Sequence, residues 1–238
     1  MCSQPNIAST AFLIADPARA TMLMALVDGR ALPAGELAYA AGVTAQTAST
    51  HLAKLLTGGL VAVEAQGRHR YYRLSGSNVA LVLENLALIT PVAPPRSKPP
   101  GGDAQKLRFA RCCYDHLAGQ LGVAMTQALE RRGLIVAAAD KRFEVTPDGV
   151  EWFSHLGLNV PELHPTRRGV ARQCLDWTER QHHLAGPLGM QWMNLLCANG
   201  SLRRGKATRA VQVTPQGWVW LKDHLGIEGR LGELTQAA

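Results

Sequence analysis

Residues 44–59 read TAQTASTHLAKLLTGG, and the reading of this stretch decides the fold. Thr44 is a helix-capping residue type and Gly58-Gly59 is a stop signal, so the spacing predicts a helix over 44–57. At helical pitch Ala48, Leu52 and Leu55 share one face and turn toward a core. The remaining faces carry Gln46, Thr47, Ser49, Thr50, His51 and Lys54. Short hydrogen-bonding side chains on such a helix are either ordinary solvated surface or groups that reach base-pair edges in a major groove.

Upstream, Asp16-Pro17 is a helix start, with Asp as N-cap and Pro at the first helical position. Ala20, Leu23, Met24 and Val27 follow at helical spacing, and Gly29 ends the run. A second helix around Ala34–Ala41 stops at Gly42, a residue suited to the left-handed conformation after a helix. Helix, short Gly-containing turn, helix is the helix-turn-helix order. Downstream, residues 60–74 read LVAVEAQGRHRYYRL. Val61 and Val63 alternate as in a half-buried strand, Gln66-Gly67 turns, Arg68-His69-Arg70 forms a basic tip, and Tyr71–Leu74 returns as a strand. A last helix, about 77–89, lines up Val79, Val82, Leu83, Leu86 and Ile89.

The ordered set IADPARATMLMAL, ELAYAAGVTAQTASTHLAKLLTGGLV and AQGRHRYYRL resembles the ArsR/SmtB family of dimeric winged helix-turn-helix repressors, over residues 7–89. The resemblance implies double-stranded operator DNA and a second copy of the chain as partners. It implies DNA contacts from Thr44, Gln46, Thr47, Ser49, Thr50 and His51, with Lys54, Arg68, His69 and Arg70 on phosphates or in the minor groove. It also implies pairing of the first and last helices across a two-fold axis, through Val79, Val82, Leu83 and Leu86. Repression is carried by the resemblance alone. The places where that family often binds metals, here LPAGELAYAA and SNVALVLENLALI, contain no Cys or His, so those sites do not carry over.

Residues 90–106, TPVAPPRSKPPGGDAQK, hold five prolines and two glycines. They divide the chain into a domain at 1–90, a linker at 91–106 and a domain at 107–238 expected to receive an effector. The second domain contains a duplication: HLAGQLG at 116–122 recurs as HLAGPLG at 183–189, and VTPDG at 145–149 recurs as VTPQG at 213–217. Each copy, about 107–160 and 170–229, reads as helix, hairpin, helix, so the expected fold class is mainly α with small β-hairpins.

Two cysteine–histidine segments lie in this domain, RCCYDH at 111–116 and CLDWTERQHH at 174–183. Cys112 or Cys113 with His116 has helical i,i+4 or i,i+3 spacing, and two repeats could combine Cys112, Cys113, His116, Cys174 and His183 into a four-ligand site for a soft transition metal. The same cysteines read equally as redox thiols near Arg111 and Arg172, or as small core residues. A third reading is an apolar ligand in a cleft between repeats, lined by Trp152, Trp177, Trp192, Trp218 or Trp220.

Composition narrows the classes. The chain has 238 residues, 47% hydrophobic and 18% charged, with net charge +7, which fits a globular protein with an anionic partner. Within 1–90 the charge is nearly balanced: six basic residues (Arg19, Arg30, Lys54, Arg68, Arg70, Arg73) face five acids (Asp16, Asp28, Glu36, Glu64, Glu84). That balance counts against nonspecific DNA coating. No apolar run is long enough to span a bilayer, MCSQPN is no secretory signal, and five irregularly spaced cysteines are no disulfide framework, so a cytoplasmic location is expected. No phosphate loop, nucleophile elbow or metalloprotease helix is present, so no enzyme is expected. The alternatives are an effector-independent architectural DNA-binding protein, and a thiol enzyme using Cys113 and His116 on a DNA-targeting domain.

Overall fold

The computed structural model describes residues 6–66, 69–90, 102–167, 169–205 and 208–229, which fall into two compact units, Met1–Ile89 and Thr90–Ala238.

The first unit runs α1 (Ile7–Ile14), α2 (Pro17–Ala25), β1 (Leu32–Pro33), α3 (Ala34–Ala41), α4 (Ala45–Thr57), β2 (Val61–Gln66), β3 (His69–Leu74) and α5 (Ser77–Ile89). Each boundary has a local cause. The Asp16 carboxylate accepts the Arg19 N–H at 2.9 Å and opens α2. Gly42, at φ 65°, ends α3 in the left-handed region, and Thr44 accepts the Thr47 N–H to open α4. Between α1 and α2 the buried Arg19 donates to the carbonyls of Phe12 and Leu13 (2.9 and 2.6 Å), satisfying the end of α1. Ala48, Leu52 and Leu55 are fully buried with Met22, Leu23 and Leu37. Fully burying a leucine contributes roughly 1.5–3 kcal/mol, so this face fixes the rotation of α4 about its axis. The hairpin β2–β3 is antiparallel, in register from Val61↔Leu74 to Gln66↔His69, and β1 joins the far edge of β3. This is a winged helix-turn-helix. Gly67 and Arg68, read as the turn and the start of the basic tip, lie outside the described residues.

The second unit begins with α6 (Gly102–Phe109), so the last residues of the stretch read as linker are helical. The prolines end at Pro100, and nothing after it forbids a helix. The stretch 91–101 lies outside the described residues. There follow β4 (Arg111–Cys113), β5 (His116–Ala118), α7 (Gly119–Arg131), β6 (Ile135–Ala138), β7 (Arg142–Val145) and α8 (Pro147–His155). The second copy repeats the order as β8 (Arg172–Leu175), β9 (His182–Ala185), α9 (Gly186–Ala198), β10 (Leu202–Arg204), β11 (Val211–Val213) and α10 (Pro215–Leu225).

Two expectations are corrected here. Each copy is hairpin–helix–hairpin–helix, not helix–hairpin–helix, so antiparallel sheet enters the unit twice per copy rather than once. RCCYDH, read as helical, is the first hairpin: Tyr114 takes φ 58°, a left-handed turn that no helix continues. Strands of three residues show no periodicity in sequence and persist only through their pairing.

The copies interlock. The second hairpin of the first copy joins the first hairpin of the second through Arg142↔Arg172, making the sheet β6-β7-β8-β9. On the other side a bridge links Arg111 with Ala210, where Cys112 N–H donates to the Arg209 carbonyl at 2.8 Å and Val211 N–H to that of Ala110 at 2.9 Å. The helices cross as well: α7 packs on β9, and α9 packs on β5.

Candidate functional site

In the first unit α4 exposes Gln46, Thr47, Ser49, Thr50 and Lys54. Ser49 and Thr50 donate their hydroxyl hydrogens to the carbonyls of Ala45 and Gln46 (3.0 and 3.2 Å), which leaves their oxygens as outward acceptors. The Thr44 and Thr47 hydroxyls are hydrogen-bonded to each other at 2.9 Å, so Thr44 serves as the cap. His51 is turned inward: its Nδ1 lies 3.8 Å from Asp16 and 3.4 Å from Arg19 Nη1. Arg70 stands exposed on β3, and Arg73 is ion-paired with Glu64. His69 opens β3, its side chain outside the described set, as is Arg68.

On α5, Val82 (47% exposed), Leu86 (39%) and Ile89 (77%) face outward, as do Ile7 and Phe12 of α1. Val79 is half-buried. Leu83, read as part of the pairing face, is buried within its own unit, because it lies on the side of the helix carrying Ala80.

In the second unit four of the five residues read as a candidate metal set come together. Cys113, His116, Cys174 and His183 are all buried, and one ligand atom of each lies within 4.8 Å of every other. The hairpins bring them there: Cys113 pairs with His116 across β4–β5, and Cys174 with His183 across β8–β9. The two Nε2 atoms are 3.1 Å apart and the two Sγ atoms 4.0 Å apart. Cys112 does not join them. It neighbours Cys113 on one strand, so it points to the opposite face, into the core against Met193 at 3.8 Å.

Carboxylates stand behind both histidines. Asp115 lies 2.9 Å from His116 Nδ1, and Asp176 lies 3.7 Å from His183 Nδ1. Burial alone would suppress the His116 imidazolium, but the Cys113 sulfur and the Asp115 carboxylate outweigh it and push the group up to about 9. Burial would likewise raise Asp176, yet Arg111, His183, Thr178 and the Gly119 N–H hold it well below the usual carboxylate range. Arg111, read as a neighbour favouring thiolates, instead donates to Asp176 at 2.9 Å.

The repeated glycines explain the duplicated motif. A Cβ on Gly122 would meet the Leu117 carbonyl at 2.6 Å with His183 Cβ beyond it at 3.7 Å; one on Gly189 would meet the Leu184 carbonyl at 2.5 Å with His116 Cβ at 3.5 Å. The second glycine of each HLAG-x-LG copy thus lets its helix lie against the carbonyl of the leucine in the same motif, with the histidine of the other copy in ordinary van der Waals contact beyond. The recurrence of glycine at 122 and 189 is the trace this close approach leaves in the sequence. The tryptophans are spread over separate partners: Trp152 and Trp192 meet edge to face at 6.2 Å, Trp218 lies 6.0 Å from Phe109, Trp177 sits under Arg111 and Trp220 on His224.

A family described as a helix-turn-helix domain matches residues 14–64. The uncharacterized HTH-type transcriptional regulator YdfF of Bacillus subtilis is 46% identical over 224 residues, 94% of this chain and 99% of its own. The HTH-type transcriptional regulator CmtR of Mycobacterium tuberculosis is 40% identical over 76 residues, 32% of this chain and 64% of its own. Among solved structures, the homodimeric winged helix-turn-helix DNA-binding domain of Mb0332 from Mycobacterium bovis matches 37% of this chain and 89% of its own, at 27% identity and a TM-score of 0.33. No helix among the described residues is long and apolar enough to cross a membrane. With a relative of this identity along nearly its whole length and a winged helix-turn-helix at its start, the chain belongs to the family of HTH-type transcriptional regulators.

Proposed function

We propose that the protein is a homodimeric repressor that reads its operator through α4 and is released by an effector acting on the second unit. The observation that carries this reading is the two-sidedness of α4: Ala48, Leu52 and Leu55 are fully buried, while Gln46, Thr47, Ser49 and Thr50 lie exposed on the rest of the helix. Those four residues contact base edges in the major groove. Thr44 and His51 orient the helix, the first as its cap and the second against Asp16 and Arg19. Lys54, Arg68, His69 and Arg70 follow the phosphates or enter the minor groove. The exposed Val82, Leu86 and Ile89 of α5, with Ile7 and Phe12 of α1, supply the apolar face of the two-fold contact, with Val79 at its margin. A dimer of this kind reads half-sites about one helical turn apart.

The test is fluorescence anisotropy of the full chain on its own upstream DNA, reduced and chelated, then with zinc, cadmium, nickel or peroxide. A tight, salt-dependent complex that one addition dissolves supports the reading. Weakening it a hundredfold needs a coupling of about 2.7 kcal/mol, within the ordinary allosteric range. A tight complex indifferent to all four additions makes the cysteines and histidines structural and turns the search to apolar ligands. Absence of specific binding removes the DNA reading.

A further inference from the structure

We propose that Cys113, His116, Cys174 and His183 hold one thiophilic divalent cation, zinc(II) or cadmium(II) in type, at the pseudo-two-fold centre of the second unit. As an effector site this rests on the regulator reading; as a binding site it stands without it.

The distances carry the first part of the argument. A tetrahedral ion with metal–sulfur bonds of about 2.3 Å and metal–nitrogen bonds of about 2.0–2.1 Å sets its sulfurs about 3.8 Å apart and its nitrogens about 3.3 Å apart. The observed separations are 4.0 Å for Sγ···Sγ and 3.1 Å for Nε2···Nε2. These two separations match a tetrahedral shell to within a few tenths of an ångström, and every sulfur–nitrogen pair lies within 4.8 Å, so small side-chain rotations close the set on one ion. The duplication brings like residues together, the two cysteines in a small apolar cluster with Ala118 and Ala185 and the two rings stacked at 5.0 Å, and the result is two sulfurs and two ring nitrogens grouped in one buried place.

The histidine orientation carries the second part. Both rings turn Nε2 toward the centre and Nδ1 toward a carboxylate, Asp115 in one copy and Asp176 in the other. At His116 the carboxylate is within hydrogen-bond distance, so a Nδ1–H donated to it leaves the Nε2 lone pair free for an ion and fixes the ring; at His183 the carboxylate stands farther off, at 3.7 Å, as a counter-charge. Asp176 is itself pinned, by Arg111, the Thr178 hydroxyl and the backbone N–H groups of Gly119, Thr178 and Glu179.

Charge and softness select the ion. Two thiolates neutralise a divalent cation, so the filled shell carries no net charge into a buried site, where an uncompensated one would be costly. Sulfur and imidazole nitrogen favour zinc-like ions over magnesium or calcium, which take oxygen. All four ligands come from protein, the arrangement of a closed site with no position for a reacting water. Each copy gives one Cys and one His, so a bound ion ties the copies together.

The experiment uses the full-length reduced chain, stripped with chelator and then given zinc(II) or cobalt(II). One ion per chain is expected. The X-ray absorption of the zinc form should show two sulfur neighbours at about 2.3 Å and two nitrogens at about 2.0–2.1 Å, and cobalt should give the visible bands of a tetrahedral site with thiolate-to-metal charge transfer. Cys113→Ser, Cys174→Ser, His116→Asn and His183→Asn should each weaken binding at least tenfold, whereas Cys112→Ala and Cys197→Ser should bind as the unaltered chain does. A zinc shell with fewer than two sulfurs, or Cys113→Ser and Cys174→Ser proteins with unaltered affinity, would overturn the proposal. Should the serine variants fail to fold, the absorption spectrum of the unaltered chain still decides. Loss of operator binding with the two-sulfur shell intact would remove the regulator reading alone; operator binding without that shell would remove the metal centre alone.

Discussion

Arg111 and Asp176 form a fully enclosed ion pair that joins the two copies of the duplicated unit, 2.9 Å from Nη2 to Oδ1 with side-chain exposures of 1% and 0%. Asp176 lies between Cys174 and His183, in a connection longer than the Tyr114-Asp115 turn between Cys113 and His116. The longer connection of the second copy therefore supplies the partner for the arginine of the first. Asp176→Ala leaves the guanidinium buried and unpaired, and should cost roughly 3–5 kcal/mol. All five tryptophans lie beyond residue 150, so tryptophan fluorescence in a urea titration reports this unit alone. An unchanged midpoint would show that water reaches Arg111.

Gly122→Ala should destabilise the same unit by about 1–3 kcal/mol, because the added methyl meets the Leu117 carbonyl, backbone that cannot step aside. Gly35→Ala makes the opposite prediction. Nothing lies within 4 Å of a Cβ there, on helix α3, so the change should stabilise the first unit by about 0.4–1 kcal/mol. Thermal melts followed by circular dichroism compare the two signs.

Base contacts and phosphate contacts should separate by salt. Gln46→Ala should cost about 1–3 kcal/mol of operator affinity with the salt slope unchanged, since a base contact releases no counterion. Arg70→Ala should weaken all sequences alike and lower the slope of log K against log salt by about 1. Anisotropy at several salt concentrations distinguishes them, and equal slopes would detach Arg70 from DNA. Leu52→Ala, at the fully buried face of α4, should instead lose roughly 2–5 kcal/mol of stability.

Acid should weaken the start of α2. The N–H of Arg19, helped by the charges of Arg19 and His51, holds the Asp16 carboxyl below its ordinary value of 3.8 against the opposing effect of burial. A depressed carboxylate adds stability that is complete above 3.8 and is lost as the pH falls through the lower folded value. Asp16→Ala should cost about 1 kcal/mol at neutral pH, the usual worth of an N-cap, and the difference should close well below 3.8. Melting temperatures of both proteins across that range check the sign; a constant gap would mean that the cap works without its charge.

The first unit was legible because its signals are local. Asp16-Pro17, Gly42 and Thr44 each fix a boundary by their own backbone chemistry, and the spacing of Ala48, Leu52 and Leu55 fixes the buried face. Helix α1 escaped notice because its end is closed by a distant side chain, Arg19, rather than by a residue at the boundary. In the second unit the duplication was legible as repeated letters, but its geometry was not. Cys113 and His116 lie three apart, which suits a helix face and a tight hairpin equally, and only the left-handed Tyr114 decides between them. Once the segment is a strand, parity sends Cys112 to the core and Cys113 to the cluster, a distinction that helical spacing cannot make. The pairing of Arg142 with Arg172 and of Arg111 with Ala210 is long-range and leaves no local trace.

The crossed hairpins carry a consequence for how such a unit could arise. A single copy, alone in solution, would leave one edge of each hairpin open and present only one cysteine and one histidine. It could satisfy both needs only by meeting a second molecule of itself. Two copies in one chain turn that encounter into an intramolecular event, at an effective concentration set by the short connection between them rather than by the amount of protein in the cell. Assembly of the pair then no longer depends on dilution.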